Sequence, residues 1–291
     1  MNLGITGATG FIGRAIIDHA LRRGHEVTAF TRNPERPIPG CAMRAFSLQA
    51  PPDLSGCEAI IHLAGEPVVG IWTPAKKRRI RDSRVLGTRR VVEAIAVLET
   101  KPEVLVCGSA IGFYGDAGES DLTEESSVGN GFLAATVAAW EAEAQQAEGV
   151  RVVRLRTGLV LGETGGMLRA LLPLFRFALG AQIGNGRQWM PWIHLEDEVR
   201  LALFAVENLD VRGALNATAP WPVRNAEFTQ TLARRLRRPA IWRVPAFALR
   251  ALGDFSHELL DSKRVLPARA LDHGFGFRFP ELEPALKHLL G

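Results

Sequence analysis

The chain has 291 residues, enough for one large domain or for one domain with a smaller lobe. Hydrophobic residues make up 47% of it and charged residues 23%, the balance of a globular protein, and no apolar stretch approaches the roughly 20 residues needed to span a bilayer. The formal net charge of +4 is too small to indicate a nucleic-acid-binding protein by itself.

The cysteines and the N-terminal residues bear on the cellular compartment. The chain has three cysteines, Cys41, Cys57 and Cys107, without the C-x-x-C spacing of a metal or redox site. The first residues enter an apolar strand directly, without a basic leader. We expect reduced thiols, no bound metal, a cytoplasmic location, and neither membrane nor nucleic acid as a partner.

A glycine-rich turn follows the first apolar strand. Residues 3–6 lead into Gly7, Gly10 and Gly13, and an amphipathic helical pattern comes next. Gly7 permits a tight turn, Gly10 lets backbone amides approach a pyrophosphate, and Gly13 lets the helix pack against the strand. This strand–turn–helix context predicts dinucleotide binding. The residues assigned to the cofactor here are Gly7, Thr9, Gly10, Phe11, Ile12 and Gly13.

The first half of the chain alternates strand and helix patterns. The predicted strands cover residues 2–6, 26–31, 59–64, 104–108 and 150–156. The predicted helices cover residues 11–23, 74–98 (with a break near Ser83) and 133–148. Two strands, at 59–63 and 104–106, are apolar throughout, as in a parallel sheet covered by helices on both faces. We therefore predict an α/β, Rossmann-type doubly wound parallel sheet that binds its ligand at the carboxyl ends of the strands.

The pattern changes after Gly158. Helices are predicted at residues 167–179, 196–208, 225–237 and 245–252, and a short strand at 214–217. We expect residues 1–160 to form the nucleotide-binding domain and residues 161–291 to form a smaller, mainly helical lobe. The strand near 214–217 is a candidate to return to the first domain, and a cleft is expected between the two parts.

The end of the second predicted strand indicates which nucleotide binds. NAD-binding folds place an acidic residue about 20 positions after the glycines, where it bonds the ribose hydroxyls. This chain has no carboxylate there, and Arg32 occupies the place where a 2′-phosphate would lie. A guanidinium forms a forked, charge-assisted pair with phosphate, so the sequence favours NADP(H) over NAD, although an exposed arginine after a strand is also common.

Several motifs carry a family resemblance. TGATGFIG (6–13), HLAG (62–65) and GSA (108–110) resemble the extended short-chain dehydrogenase/reductases, which include nucleotide-sugar epimerases. RTGLVLG (156–162), GNGRQW (184–189) and WIH (192–194) resemble the atypical, epimerase-like subfamily within them. The resemblance covers essentially the whole chain and implies an NADP-binding Rossmann fold with a small C-terminal lobe.

The resemblance also assigns further cofactor residues. It implies that Leu63, Ala64 and Gly65 pass beside the adenosine and phosphates, and that Gly108 lies at the end of a strand near the nicotinamide. It further implies that three residues close over the nicotinamide ribose, namely Arg156, Thr157 and Gly158. Small residues also end strands for packing reasons, so both interpretations stay open here.

The usual catalytic pair of the superfamily is missing. That pair is Tyr-x-x-x-Lys, in which the lysine lowers the pKa of the tyrosine so that the phenolate exchanges a proton with substrate. This chain has one tyrosine, Tyr114, and Gly118 stands four residues after it. At the expected place, before Trp140, the sequence has Phe132 and Thr136 instead.

Three residues are candidates for the missing proton chemistry. Ser109 ends a strand near the predicted nicotinamide site, and Tyr114 follows in the next loop. His194 has an unperturbed pKa near neutrality and lies in a predicted cleft loop. Packing of Tyr114, and a turn or helix-start role for His194, are the competing interpretations.

The loop from 184 to 192 is the candidate for substrate contact. Its glycines permit an open backbone, and its side chains supply a cation, an amide and flat apolar surfaces suited to a phosphate-bearing or sugar-like ligand. The candidate residues are Arg187, Gln188, Trp189 and Trp192. Packing between the lobes explains the tryptophans equally well.

Two basic clusters and two functions remain to be weighed. The clusters, at residues 76–79 and 234–238, fall on predicted helices and are interpreted as solvated helix faces. The first function is an NADP(H)-dependent oxidoreductase or epimerase-like enzyme for a small polar, nucleotide-sugar-like substrate. The alternative is a non-catalytic NADP(H)-binding sensor, since the glycine turn is intact beside a degenerate catalytic pair.

Overall fold

The computed structural model describes all of residues 1–291 and contains strands of two to seven residues. In chain order these strands are β1 (Asn2–Thr6), β2 (Glu26–Thr31), β3 (Cys41–Ala45), β4 (Ala59–His62), β5 (Val104–Ala110), β6 (Asp121–Leu122), β7 (Arg151–Thr157), β8 (Leu159–Leu161), β9 (Ala181–Ile183), β10 (Trp189–Met190), β11 (Trp192–His194), β12 (Gly213–Ala217), β13 (Val223–Arg224), β14 (Trp242–Val244) and β15 (Arg264–Val265).

Ten α-helices and one 3-10 turn, at Ile111–Tyr114, complete the structure. The helices are α1 (Phe11–Arg22), α2 (Pro74–Ala96), α3 (Phe132–Ala144), α4 (Gly166–Arg176), α5 (Leu195–Glu207), α6 (Asn225–Leu236), α7 (Ala246–Arg250), α8 (Phe255–Leu260), α9 (Ala268–Asp272) and α10 (Leu282–Leu290). No helix combines the length and the apolarity needed to cross a membrane.

Seven parallel strands form the central sheet, in the order β12-β7-β5-β4-β1-β2-β3. The chain moves from β1 outward to β3 and then crosses to β4 on the other side of β1. The strand order therefore reverses between β1 and β4, and a doubly wound sheet binds its ligand in the crevice at the carboxyl ends of such strands.

Alternation of apolar side chains along the strands builds a core on each face of the sheet. Val104 and Val106 of β5 join the core under α1 and α5, whereas Leu105 and Cys107 join the core under α2 and α3. Because both faces are covered, the central strands β4 and β5 are apolar without interruption over residues 59–61 and 104–107. The predicted doubly wound α/β fold is confirmed.

Residues beyond 160 also contribute to the central sheet and to the helices that cover it. Strand β12 pairs with β7 at the edge of the sheet, with Asn216 opposite Arg156, and α5 packs against α1. The rest of the C-terminal part has its own core, in which side chains from α4, α6 and α10 pack around the fully buried Trp192.

Some predicted elements differ in extent from the observed ones. Helix α2 is continuous through Ser83, whose hydroxyl donates to the Ile80 carbonyl and accepts the Glu66 amide. Strand β3 was not predicted, because its residues 41–45 are only half-buried at the edge of the sheet and lack a strong apolar pattern.

The Gly13→Ala substitution tests the close approach of α1 to the glycine turn. A Cβ at Gly13 would lie 2.3 Å from the Gly7 carbonyl oxygen, whereas a Cβ at Gly276 would meet nothing within 4 Å. We expect Gly13→Ala to lower the free energy of unfolding by about 1–3 kcal/mol, the usual cost of overpacking, and the matched Gly276→Ala to be near neutral. Denaturant unfolding of both variants measures this, and equal stabilities would contradict it.

Candidate active site

The glycine turn is held tightly against the loop that follows β4. Gly7 has a φ of +69°, and a Cβ there would lie 2.8 Å from the carbonyl carbon and oxygen of Leu63. The Gly10 amide donates to the Gly7 carbonyl at 2.8 Å and closes the turn. Only glycine at position 7 allows the backbone both this conformation and this contact.

The start of α1 leaves its first amides without protein partners. The N–H groups of Phe11, Ile12 and Gly13 donate to no protein acceptor, and no side chain caps the helix. Thr9 is exposed at the same place and has no side-chain partner. Free amides at a helix N-terminus favour an anion, so these residues fit the diphosphate of a dinucleotide.

The ring of Phe11 serves a different purpose from its amide. A Cβ at Gly165 or Gly162 would lie 2.2 Å and 2.4 Å from ring atoms of Phe11, so the loop after β8 passes directly over this ring. Ile12 packs against the core under α1. Both side chains therefore fix the helix end whose amides remain free.

A buried threonine organises the next loop. The Thr6 hydroxyl lies 2.6 Å from Nδ1 of His62 and accepts the amides of Leu63 at 3.1 Å and Ala64 at 3.2 Å. Burial lowers the pKa of His62 to about 4, so its ring is neutral at physiological pH. The sequence analysis did not assign His62 a role, because its function depends on contact with β1.

Arginines flank this crevice on two sides. Arg32 is exposed directly after β2 and makes no side-chain hydrogen bond or ion pair within the protein, so its guanidinium is free to meet a phosphate. Arg84 of α2 lies 3.4 Å from the position of a Cβ on Gly65 and donates to the Glu66 and Ile80 carbonyls. Burial lowers the pKa of Arg84 to about 10. Arg84 was missed because helix α2 contains many basic residues.

The interior beside β5 and β7 is organised around the carboxylate of Glu141. This group receives a two-pronged pair from Arg156 at 2.8 and 2.9 Å, a bond from Arg154 at 3.1 Å and the Ser109 hydroxyl at 2.6 Å. Glu141, Arg156 and Ser109 are all almost completely buried. These bonds hold both side chains inside the protein, and the cofactor role expected of Arg156 and the catalytic role expected of Ser109 stay predictions.

Tyr114 belongs to the same interior network. Its hydroxyl donates to Asn216 Oδ1 at 2.6 Å and accepts a bond from Arg156 at 2.8 Å. The side chain is 3% exposed, and burial raises its pKa. The hydroxyl joins β12 to β7, which agrees with the packing interpretation, and the catalytic role of Tyr114 stays a prediction.

His194 caps a helix. Its Nδ1 accepts the Glu196 amide at 3.0 Å at the start of α5, and its ring stacks on Phe279 with 3.9 Å between the centroids. His288 lies 3.2 Å from the other ring nitrogen, and burial lowers the pKa of His194 to about 4. The alternative of a helix-start role is therefore the one that the structure favours over catalysis.

Small residues end the strands at this side of the sheet. A Cβ at Gly158 would lie 2.4 Å from the Pro191 carbonyl oxygen, and one at Gly108 would lie 3.3 Å from the Trp140 ring. The Thr157 hydroxyl donates to Glu198 at 2.7 Å. Because Gly108 and Gly158 have no Cβ, the strand ends can pack this closely against the Trp140 ring and the Pro191 carbonyl.

A large cavity of about 850 Å³ opens between the start of α3 and the C-terminal residues. One wall is formed by Trp72 and by Phe132, the residue at the place of the superfamily tyrosine, whose rings meet edge to face with centroids 5.4 Å apart. The opposite wall comes from α7, α8 and the residues up to Lys263. The cavity is therefore closed by the C-terminal part of the chain.

The opposite wall of this cavity carries charged groups with few partners. The Lys263 side chain is 6% exposed, and its Nζ forms an ion pair with Asp261 at 3.6 Å. Lys263 and Glu258 both make no hydrogen bond through their side chains, and burial raises the pKa of Glu258. His257 Nδ1 lies 3.2 Å from the other oxygen of Asp261. A largely buried lysine that makes no hydrogen bond through its ammonium fits an oxygen-rich ligand.

The loop expected to contact substrate packs elsewhere. Gln188 donates to the Ile183 and Leu259 carbonyls, and Trp189 lies between Arg224 and Arg264. Trp192 is fully buried, Arg187 points to solvent, and none of the four lines the cavity. These contacts agree with the packing interpretation, since the loop joins β10 and β11 to the lobe core, and the substrate contact stays a prediction.

The family of the chain follows from comparison with known proteins. The model of the NAD dependent epimerase/dehydratase family matches residues 3–217, which include the glycine turn and all seven strands of the sheet. The chain belongs to this family. A second model, a domain of unknown function called DUF1731, matches residues 244–289, which include Glu258 and Lys263. The resemblance drawn from the motifs is confirmed.

Family relatives align along the whole chain. Epimerase family protein YfhF of Bacillus subtilis is 38% identical over 298 residues, covering 100% of this chain and 98% of the relative. The chloroplastic SDR39U1 homolog of Arabidopsis thaliana is 36% identical, covering 100% of this chain and 87% of the relative.

A solved family structure has the same fold. The crystal structure of human epimerase family protein SDR39U1 with NADPH superposes with a TM-score of 0.92 at 33% identity, covering 99% of each chain. The nucleoside-diphosphate sugar epimerase of Corynebacterium glutamicum gives a TM-score of 0.81 at 33% identity, covering 100% of this chain and 58% of that protein.

Glu198 gives this part of the protein a defined pH dependence. The side chain is fully buried, its second oxygen has no partner, and burial raises its pKa from 4.5 to about 8. The folded protein keeps this proton while the unfolded chain loses it, so the stability that it contributes is complete below pH 4.5 and is lost as pH rises to about 8.

The Glu198→Gln variant should not lose stability as the pH rises over this range. We expect it to match the parent near pH 4.5 and to exceed the parent's free energy of unfolding at pH 8 by about 2–4 kcal/mol. Denaturant unfolding across this range, with the exposed Glu163→Gln as control, measures the difference. Parallel pH profiles for Glu198→Gln and the parent would contradict the assignment.

Proposed function

We propose that this protein binds NADP(H) along the carboxyl edge of its sheet and acts as an oxidoreductase on a small polar, hydroxyl-bearing substrate in the adjoining cavity. Two sites whose hydrogen-bond donors lack protein acceptors support this proposal. Free amides begin α1, and Lys263, whose ammonium makes no hydrogen bond within the protein, lines the cavity wall opposite Phe132.

The cofactor residues support NADPH in particular. The amides of Phe11, Ile12 and Gly13 are available for the diphosphate, and the free guanidinium of Arg32 stands where the adenosine 2′-phosphate would lie. The human relative was crystallised with NADPH, and its fold covers 99% of this chain. When bound, the nicotinamide would supply or accept a hydride.

The proton chemistry must come from groups other than the usual tyrosine. Ser109 and Tyr114 are held in the interior network, and Phe132 carries no exchangeable proton. The cavity instead presents Lys263, Glu258 and His257. Lys263 donates hydrogen bonds to a substrate oxygen, and Glu258 pairs with a neighbouring hydroxyl.

Simple reduction or oxidation is favoured over epimerisation. Epimerisation requires a base that handles an oxidised intermediate on both faces, and no such base stands at the start of α3. Reduction needs one proton donor near the substrate oxygen, which the wall around Lys263 supplies.

Nucleotide titration tests the cofactor assignment. We expect NADPH to bind more tightly than NADH, and Arg32→Ala to weaken NADPH binding by roughly tenfold or more, because a charge-assisted bond to phosphate contributes about 1.5–3 kcal/mol. The control, Arg22→Ala, removes an exposed arginine at the far end of α1. NADPH binding that is unchanged in Arg32→Ala would contradict the 2′-phosphate assignment.

Substrate turnover tests the cavity. Consumption of NADPH is measured against a panel of hydroxy-aldehydes and ketoses, and reduction of NADP+ against nucleotide sugars. Lys263→Met is expected to raise KM by about tenfold while NADPH affinity stays constant. Lys287→Met, on the exposed face of α10, is the control. An unchanged KM in Lys263→Met would contradict the proposed contact, and NADPH binding without turnover of any compound would favour the sensor function.

A further inference from the structure

Two segments of the C-terminal half contain arginines but no acidic residues. Residues 164–195 and 228–253 contain no Asp, Glu or Lys and hold nine arginines. Because the whole chain carries +4, all its other residues together carry −5. The nine are Arg169, Arg176, Arg187, Arg234, Arg235, Arg237, Arg238, Arg243 and Arg250.

None of these nine arginines pairs with an aspartate or a glutamate, whereas fifteen arginines and lysines elsewhere in the chain do. The two basic segments contain no carboxylate side chains that could pair with their arginines. Their positive charge therefore remains available to an external partner.

The fold brings the two segments side by side. Strand β9 pairs in parallel with β14, so that Ala181 lies opposite Trp242. The Trp242 indole donates to the Ala178 carbonyl at 3.2 Å, and Arg238 donates to the Arg176 carbonyl at 3.1 Å. The end of α4 and the segment entering β14 thus form one continuous surface.

This surface also exposes large apolar side chains. Phe177 is 78% exposed and Ile241 is 75% exposed, and Phe247 follows on α7 at 75%. We define the arginine-rich face by its exposed apolar residues and the arginines among them, namely Leu174, Phe177, Leu179, Ile241, Trp242, Phe247, Arg176, Arg237, Arg238 and Arg243. Contiguous exposed apolar side chains of this kind mark an interaction site.

We propose that the arginine-rich face binds the surface of an anionic lipid bilayer. Such a surface presents phosphate groups to the arginines and, immediately below them, hydrocarbon to Phe177, Ile241 and Phe247. Trp242 has the amphipathic ring that favours the headgroup level. A nucleic acid offers phosphates to the arginines but no apolar phase for the aliphatic side chains of Leu174 and Ile241.

This contact is peripheral and needs no spanning helix. The sequence-based expectation of no membrane partner depended on the absence of a long apolar segment, and interfacial binding depends instead on exposed side chains that only the fold brings together. The proposal is independent of the proposed enzymatic function, because none of the residues of the face enters the cofactor crevice.

Vesicle co-sedimentation of the full chain tests the proposal. We expect binding to vesicles of phosphatidylcholine mixed with phosphatidylglycerol, weakened by added salt, and no binding to phosphatidylcholine alone. The double substitution Arg238→Glu with Arg243→Glu should weaken binding by about tenfold or more, since each basic residue near the surface contributes about 1 kcal/mol. The double substitution Phe177→Ser with Trp242→Ser should weaken it by about tenfold or more through lost apolar burial.

Matched controls separate the face from general charge and apolarity. Trp221→Ser removes an exposed tryptophan outside the face, and Arg212→Glu reverses an exposed, unpaired arginine outside it. Both should leave vesicle binding within about twofold of the parent, apart from the small effect of net charge. Thermal unfolding and NADPH affinity of every variant confirm that the fold is intact.

Four results would each overturn the proposal. These are equal binding to neutral and anionic vesicles, absence of binding to both, and binding that the controls weaken as much as the face variants do. The fourth is a dimer in sedimentation velocity that Phe177→Ser with Trp242→Ser dissociates, which would assign the face to a second copy of the chain. Retention on DNA without vesicle binding falls under the second result and would assign the arginines to nucleic acid.

Discussion

The arrangement of the whole site depends on which backbone amides at the carboxyl edge of the sheet are paired and which are not. Buried amides must find acceptors, and the Thr6 hydroxyl supplies one for the two residues that follow β4. The amides that begin α1 have no such acceptor. Because Gly7 and Gly13 bring the turn, the loop after β4 and the helix end into contact, these unpaired donors all lie at one place. A diphosphate anion is the group that satisfies them.

A buried charge network lies between α3 and the strands β5, β7 and β12. Glu141 lies between Arg154, Arg156 and the Ser109 hydroxyl, and Tyr114 bonds the remaining side of Arg156. A buried ion pair of this kind contributes little net stability, but removing one member leaves an uncompensated charge at a cost of about 3–5 kcal/mol. The network therefore fixes how α3, β7 and β12 meet, and it holds the hydroxyls of Ser109 and Tyr114 in bonds within the protein.

The C-terminal residues provide a candidate location for the proton transfer that the usual tyrosine performs in the superfamily. The segment matched by the domain of unknown function contributes Glu258 and Lys263 to the cavity. Its position is fixed on both sides of Lys263, since Ser262 bonds the Gly118 carbonyl and Arg264–Val265 pairs with β6. A rigid backbone around a buried ammonium is the arrangement that positions a ligand oxygen accurately.

The sequence determined the features that depend on neighbours along the chain. The glycine spacing, the apolar strands and the position of Arg32 after β2 are local patterns, and each predicted its element because turn geometry and side-chain periodicity operate over a few residues. The absence of a Tyr-x-x-x-Lys pair likewise follows from residue spacing alone.

Only the tertiary structure decided what the buried polar residues do. Arg156, Tyr114 and His194 have the side chains of catalytic residues, and their burial and partners come from β12, α3 and α10, which are distant in sequence. The sequence did not predict the cavity for the same reason. Phe132 and Lys263 are 131 positions apart in the sequence, and they line the same cavity only in the folded chain. Burial and long-range hydrogen bonding determine the role of an ionisable side chain, and neither is encoded in its local sequence.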